Sequence, residues 1–164
     1  MELWDILDYN RAVTGRTIER GKTLSSGEYH LVVFAFIQNL DGEFLISKRT
    51  PNKTFPNMWE ITGGAAIQGD DSLRAILREV KEELGIQLEP NHGILIKSFR
   101  HDQDHPYFAD IWHFKQSIEL SQVICQKEEV SEARFVTKQE LVELIQAGVF
   151  IRNDYVMECL TLLQ

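Results

Sequence analysis

The pattern of apolar and polar positions along the chain predicts interleaved strands and helices. Residues 29–38 are rich in β-branched and aromatic side chains, which is typical of a buried strand. Asp41-Gly42 is a hairpin turn signal, and the chain is expected to return in the next strand over residues 43–49. The glycine pair Gly63-Gly64 is expected to end a short strand and open a glycine-rich loop. Further strands are predicted over residues 2–8, 12–21, 59–62, 93–99, 107–115 and 133–136.

Helices are predicted in three places. The first follows the glycine-rich loop, with Asp70 or Asp71 as its N-cap and Gly85 just past its end. A second helix is expected over residues 138–148 and a third over residues 153–163. Interleaved strands and helices predict a single α/β domain with a mixed sheet packed between helices. The core-facing stripe of the first helix is predicted to consist of Leu73, Ile76, Leu77, Val80 and Leu84.

Composition narrows the class of protein. The chain has 164 residues, the size of one ordinary domain, and 43% of them are hydrophobic. Its net charge of −8 argues against non-specific binding to nucleic acid or to a membrane. No signal peptide is expected, and Cys125 and Cys159 have no metal-binding or redox spacing, so both are expected to be inert. A reduced, cytoplasmic protein is therefore predicted.

The first helix carries an acidic triplet, Glu79, Glu82 and Glu83. These side chains share one helical face, where like charges repel each other. A solvated helix face is the ordinary explanation. The backbone of Gly63-Gly64 is expected beside the triplet, however, and carboxylate and carbonyl oxygens together suit Mg²⁺ or Mn²⁺. Bound metal would cancel the repulsion and hold a diphosphate on an acidic protein.

The spacing of these residues resembles the Nudix box. That pattern is glycine, five residues, glutamate, seven residues, arginine-glutamate, an aliphatic residue, any residue, two glutamates, any residue, glycine and an aliphatic residue. Gly64, Asp70 and residues 78–86 match every fixed position except one, because Asp70 stands where the family has glutamate. The chain is therefore similar to the Nudix hydrolases.

The resemblance implies a Nudix-type α/β/α sandwich formed by residues 1–164, with the box at 64–86 and an N-terminal strand extension at 1–28. It also implies metal-dependent hydrolysis of a small-molecule diphosphate by attack of a metal-activated water on phosphorus. A nucleoside diphosphate linked to another moiety is the expected substrate. Mg²⁺ is the expected cofactor, with Mn²⁺ as a possible substitute. Neither nucleic acid nor a membrane is an expected partner, and a homodimer is possible.

The same resemblance assigns roles to individual residues. Arg78 would orient the carboxylates by ion pairing, with Asp70 as its partner. Glu129, just before a late strand, would be the general base, although solvated loop glutamates at 128 and 129 are an equal alternative. A metal-bound hydroxide assisted by Glu83 is a competing assignment. The implied metal ligands are Glu79, Glu82, Glu83 and the Gly63 carbonyl; the catalytic set is Glu82, Glu83, Arg78 and Glu129.

Substrate contacts are predicted outside the acidic triplet. Arg49 could contact phosphate or pair with an acidic neighbour, and Phe55 could stack on a base. The backbone of Gly64 is expected to approach the substrate, whereas Trp59 is expected in the core. Residues 100–108 hold two histidines and two aspartates, which could form a second metal site or a substrate loop but are expected to form a polar hairpin loop.

The flanking segments resemble the isopentenyl-diphosphate isomerase-like branch of the family. His30 stands where that isomerase has a metal-binding histidine. Gly63 and Ala65, however, stand where it has its catalytic cysteine and a second metal-binding histidine. A hydrolase is therefore expected, with an isomerase or a non-catalytic nucleotide-binding Nudix protein as the alternatives.

Overall fold

The computed structural model describes residues 1–151 and 154–163. Three α-helices lie within them: α1 (Ser72–Leu84), α2 (Lys138–Gln146) and α3 (Asp154–Leu162). The predicted start of the last helix, Asn153, lies outside the described residues. None of the described helices is long and apolar enough to cross a membrane. The strands are β1 (Leu3–Leu7), β2 (Val13–Glu19), β3 (His30–Gln38), β4 (Phe44–Arg49), β5 (Trp59–Glu60), β6 (Thr62–Ala65), β7 (Gly93–His101), β8 (Tyr107–Lys115) and β9 (Val130–Val136).

Seven of the strands form one mixed sheet. The path through it is β5-β4-β3-β8-β7, with β6 paired to β3 and β9 paired to β4. β3 and β8 run parallel, whereas β7 and β8 form an antiparallel hairpin. β9 begins three residues earlier than predicted because its antiparallel pairing with β4 extends to Arg49 opposite Val130. The predicted mixed sheet is therefore confirmed.

The central strand β3 serves two hydrophobic cores. Val33, Ala35 and Ile37 belong to the cluster that also holds the buried side of α1. Phe36 belongs to the opposite cluster, which includes buried side chains of α2 and α3. Because successive side chains of a strand point to opposite faces, a strand covered on both faces is apolar throughout. This arrangement is the predicted α/β/α sandwich.

Helix α1 has well-defined ends. Asp71, rather than Asp70, caps it by accepting a hydrogen bond from the Arg74 backbone N–H at 2.8 Å. Gly85 ends it in the left-handed conformation at φ +67°, which favours glycine. Ile76, Val80 and Leu84 of the predicted stripe are fully buried beneath the helix. Burial of this stripe fixes the rotation of α1, so the acidic residues are presented along its other side.

The prediction that Gly63-Gly64 ends a strand is wrong. Strand β6 runs through both glycines and pairs with β3, with Gly63 opposite Phe34 and Gly64 opposite Val33. A side chain at position 63 would collide with the Val33 carbonyl oxygen, and its Cβ would lie 2.5 Å from Cδ1 of Phe34. These glycines therefore permit close packing of the strand, where the sequence suggested a turn.

The N-terminal hairpin forms a separate two-stranded sheet of β1 and β2. Leu7 and Tyr29 exchange backbone hydrogen bonds of 2.8 and 2.9 Å, which join the hairpin to the start of β3. The Gln68 N–H donates to the Leu3 carbonyl at 2.8 Å. Arg11 forms an ion pair with Asp110, which is 1% exposed. The hairpin is therefore held against the domain at several points along its length.

Candidate active site

The acidic triplet of α1 opens onto a cavity of about 360 Å³. The floor of the cavity includes the backbone of Gly63, Gly64 and Ala65 in β6. Acidic side chains outnumber basic ones in its lining, which makes it a site for cations as well as for anions. The charged lining residues are Glu2, Glu60, Glu79, Glu82, Glu83, Glu129, Arg20, Arg49, Lys53 and Arg78.

Arg78 connects the acidic side chains of the cavity. Its Nη2 lies 3.0 Å from Oδ2 of Asp70, and the same oxygen accepts from Nε at 3.1 Å. Its Nη1 lies 3.1 Å from Glu79 and 3.3 Å from Glu82. Nη2 also donates to the Ala65 carbonyl at 3.2 Å. The shorter aspartate at position 70 therefore still reaches Arg78, and the guanidinium fixes the positions of two glutamates.

Two glutamates of the triplet, Glu79 and Glu83, are largely shielded from water, which disfavours their ionised form. Burial, together with the nearby negative charge of Glu79, raises the pKa of Glu83 to about 8. Burial likewise raises the pKa of Glu79 to about 7, against the opposing effect of Arg78. Thr62 Oγ1 donates to Oε2 of Glu83 at 3.0 Å, the sole hydrogen bond to that carboxylate among the described residues. The cavity therefore disfavours the ionised form of both carboxyl groups unless a cation lies beside them.

Gly64 gives the Glu79 carboxylate its space. A Cβ at position 64 would lie 2.5 Å from the Glu79 carboxyl carbon and 2.6 Å from each of its oxygens. Any side chain at this position would push the carboxylate away from β6. The glycine thus allows a backbone strand and a carboxylate to approach each other closely.

The oxygen atoms of this cavity fit a divalent cation. Within residues 1–151 and 154–163, no three acidic, histidine or cysteine side chains already converge in the geometry of a metal cluster. Arg78 and Thr62 hold the carboxylates instead. Carboxylate and carbonyl oxygens are nevertheless the donors that Mg²⁺ and Mn²⁺ prefer, and a divalent cation would compensate two buried carboxylates.

Glu129 and Arg49 also line this cavity. Glu129 forms an ion pair with Lys53. Arg49 Nη1 lies 3.1 Å from both carboxylate oxygens of Glu60, and its Nε donates to the Thr54 carbonyl at 2.6 Å. Arg49 is therefore paired with an acidic neighbour, which is one of its two predicted roles, and its contact with phosphate stays a prediction.

Other predicted positions lie away from the cavity lining. Glu128 is exposed and does not line the cavity, unlike its neighbour Glu129. Phe55 is 62% exposed and also lies outside the lining. Trp59 is buried in the core, where Arg134 lies 4.6 Å above its ring.

Several lining residues were missed by sequence reasoning. Glu60 follows the buried Trp59, so strand alternation alone could have placed it on the cavity side; burial raises its pKa. Lys53 lies in a loop without local structure to predict from. Glu2 and Arg20 reach the cavity only because the N-terminal hairpin docks there, which no local pattern indicates.

Comparison with known proteins identifies the family. A model of the NUDIX domain matches residues 28–158. The chain belongs to the Nudix family. An uncharacterized Nudix hydrolase of Listeria monocytogenes is 44% identical over 153 residues, which cover 92% of this chain and 89% of that protein. Like its relatives, this Nudix protein is an enzyme that hydrolyses diphosphate linkages, and Nudix hydrolases generally use divalent metals.

One further relative and one solved structure are also similar to this chain. A nucleoside triphosphatase of Salmonella agona, NudI, is 32% identical over 119 residues, or 67% of this Nudix chain and 83% of that protein. The crystal structure of a Deinococcus radiodurans protein matches with a TM-score of 0.76 at 25% identity and covers 98% of both chains. The match to that structure extends over nearly the whole chain, whereas the match to the NUDIX domain model begins at residue 28, after the N-terminal hairpin.

Side chains of the 100–108 segment and His30 already have partners within the protein. Asp102 accepts hydrogen bonds from Arg100 at 2.7 Å and from Tyr29 at 2.6 Å. His30 is stacked on Trp4 with 4.1 Å between ring centroids, and burial lowers its pKa to about 4. No metal-binding cluster exists there among the described residues. Residues 102–106 connect β7 to β8, as the predicted polar hairpin loop requires, and a role of this segment in substrate binding stays a prediction.

Proposed function

We propose that this Nudix hydrolase cleaves a diphosphate linkage in a nucleoside diphosphate derivative and that it requires Mg²⁺, with Mn²⁺ as a substitute. The observation that carries the proposal is the pair of carboxylates beside the backbone of β6, of which Glu83 is buried and Glu79 is 14% exposed. Burial disfavours the ionised form of such carboxyl groups, and a bound divalent cation would favour it. The similarity to a nucleoside triphosphatase supports a nucleotide as the substrate.

The proposed metal ligands are Glu79, Glu82, Glu83 and the carbonyl of Gly63. A bound divalent cation would stabilise charge on the phosphoryl group and lower the pKa of a water. Arg78 positions the carboxylates through its hydrogen bonds to Glu79 and Glu82. This arrangement fixes the donor oxygens before the substrate arrives, which is how preorganised sites lower a barrier.

Glu129 is the proposed general base. Its carboxylate lines the same cavity as the triplet and is held by Lys53. It would accept the proton that water loses as its oxygen bonds to phosphorus and the bridging P–O bond breaks. The competing assignment to Glu83 is less favourable, because Glu83 is also a proposed metal ligand and a carboxylate bound to a cation is a weaker base.

The geometry at Gly63 argues against the isomerase alternative. A cysteine there would need space that the Val33 carbonyl and the Phe34 ring occupy. Isopentenyl diphosphate should therefore show no double-bond migration when it is incubated with the protein and Mg²⁺. A non-catalytic binding protein would bind nucleotide without turnover, which calorimetry combined with product analysis would reveal.

A panel of diphosphate compounds tests the proposed hydrolysis. The purified protein is incubated with nucleoside triphosphates, sugar nucleotides and dinucleotides, and phosphate or nucleotide release is measured with Mg²⁺ and with EDTA. Glu83→Gln should lower kcat by roughly 100-fold or more, since it removes a proposed ligand. Glu128→Gln is the control, because Glu128 is exposed and outside the cavity. Full activity in EDTA or in Glu83→Gln would refute the metal mechanism.

A further inference from the structure

The cations of the active-site cavity differ in how far they are already engaged. Arg78 is bound to three carboxylates and a carbonyl, and Arg49 is bound to Glu60 and Thr54. Lys53 is paired with Glu129. These three cations hold the protein's own carboxylates, so each would have to give up a contact before it could bind a phosphate.

Arg20 is the exception among the cavity-lining cations. Its guanidinium has one side-chain partner among the described residues, Glu2, at 3.4 Å. Its side chain is 64% exposed although it lines the cavity. A single long contact on an exposed side chain contributes little energy, so a better anionic ligand can replace it.

The backbone beneath Arg20 is fixed. The Arg20 N–H donates to the Glu2 carbonyl at 3.0 Å, directly beyond the pairing of Leu3 with Glu19. Glu2 is held in turn by the indole N–H of Trp4, which donates to its carboxylate at 2.8 Å. Gln68, in the segment between β6 and α1, donates to the Leu3 carbonyl. The end of the hairpin is thus tied to the segment that carries the Nudix box.

We propose that Arg20 binds non-bridging phosphate oxygens of the substrate at the rim of the cavity. The proposal rests on the diphosphate hydrolysis proposed above and adds a specificity residue from outside the Nudix box. A guanidinium can donate two parallel hydrogen bonds to a phosphate, which is a geometry that lysine cannot reproduce. Arg20 thus contributes to substrate affinity, whereas the chemical step depends on the triplet of α1.

The chain offers a closely matched control for this residue. Arg16 lies in β2, the strand that ends one residue before Arg20, and its side chain is 61% exposed. It forms its ion pair with Glu28 at 2.6 Å and does not line the cavity. Arg16→Gln therefore removes the same charge from the same hairpin without touching the site.

Steady-state kinetics with Mg²⁺ and the best substrate of the diphosphate panel provide the test. Arg20→Gln should raise KM by roughly 3- to 20-fold, the range for a charge-assisted hydrogen bond at a partly exposed position, and should change kcat by less than about twofold. Arg20→Lys should restore part of the affinity. Arg16→Gln should match the wild type, and equal KM values for Arg20→Gln and Arg16→Gln would overturn the proposal.

Glu2→Gln separates substrate binding from a merely structural ion pair. If Arg20 binds phosphate, removal of its competitor Glu2 leaves KM unchanged or lowers it. If the Glu2–Arg20 pair only stabilises the hairpin, Glu2→Gln raises KM as Arg20→Gln does, and the proposal is wrong.

Calorimetry with inorganic pyrophosphate and Mg²⁺ distinguishes this proposal from the proposed function. Weaker pyrophosphate binding in Arg20→Gln than in Arg16→Gln is the expected result, whatever the rate of hydrolysis. If the wild type hydrolyses no diphosphate, the proposed function fails, and the pyrophosphate comparison still decides the role of Arg20. Equal affinities in the two variants would refute that role.

Discussion

In the metal-free enzyme, Glu83→Gln should remove part of the dependence of stability on pH. The carboxyl group is 8% exposed, and its hydrogen bond from Thr62 is the only one it accepts within the described residues. Burial raises its pKa to about 8, against an ordinary value of 4.5. Between these two values the folded protein holds a proton that the unfolded chain has lost, so the free energy of unfolding falls as the pH rises.

The size of the effect follows from the pKa difference. One pKa unit corresponds to about 1.4 kcal/mol, so Glu83 should lower the stability by about 3 kcal/mol between pH 5 and pH 8. Glutamine has a similar volume and does not titrate. The free energy of unfolding of the variant, relative to that of the wild type, should therefore rise by about 3 kcal/mol from pH 5 to pH 8. Glu79, whose pKa is raised to about 7, continues to contribute its own slope in both proteins.

Urea unfolding in EDTA at pH 5, 6, 7 and 8 measures this difference directly. Glu82→Gln is the control, because the Glu82 side chain is 54% exposed and the substitution should keep the wild-type slope. Addition of Mg²⁺ should flatten the wild-type slope, since a bound cation stabilises the ionised carboxylates. Identical slopes for Glu83→Gln and the wild type would show that burial of this carboxyl group has no such consequence.

Three further substitutions test other parts of the structure. Gly64→Ala should lower kcat by roughly tenfold or more, because the alanine Cβ would lie 2.5 Å from the Glu79 carboxyl carbon. Unchanged kinetics would contradict the close approach of β6 to the Glu79 carboxylate. Arg78→Lys should also lower kcat, because one ammonium group cannot replace a guanidinium bound to three carboxylates. It should leave the urea midpoint almost unchanged. Arg11→Gln should reduce the free energy of unfolding by about 2 to 3 kcal/mol in urea, since it leaves the buried Asp110 without its cation; a loss below about 0.5 kcal/mol would refute this.

The fold was largely predictable because its signals are local. The apolar stripe of α1 and the continuous apolar run of β3 each depend on side chains a few residues apart. The same local spacing places Glu79, Glu82 and Glu83 along one side of a helix whose rotation the core fixes. The partnership of Arg78 with Asp70 also follows from spacing, and the structure shows that aspartate is long enough for it.

The features that sequence reasoning missed depend on distant contacts. Gly63 and Gly64 look like a strand terminator in isolation, but β3 pairs with them and makes them a strand. The extra residues of β9 are added by its pairing with β4. Arg20 and Glu2 enter the active site only through the docking of the N-terminal hairpin, whose contacts include the Arg11–Asp110 ion pair between residues 99 positions apart in sequence.

The tight packing of Gly63 against β3 bears on how this protein could evolve. A glycine codon can become a cysteine codon through a single base change, so the catalytic cysteine of the isomerase that the flanking segments resemble is genetically close. A cysteine side chain at this position would nevertheless collide with the Val33 carbonyl in the middle of the sheet. Acquisition of that chemistry would require β3 and β6 to move apart before the cysteine became useful. A change from hydrolysis to isomerisation would therefore require the backbone of the sheet to rearrange, and substitution of active-site side chains alone would not be enough.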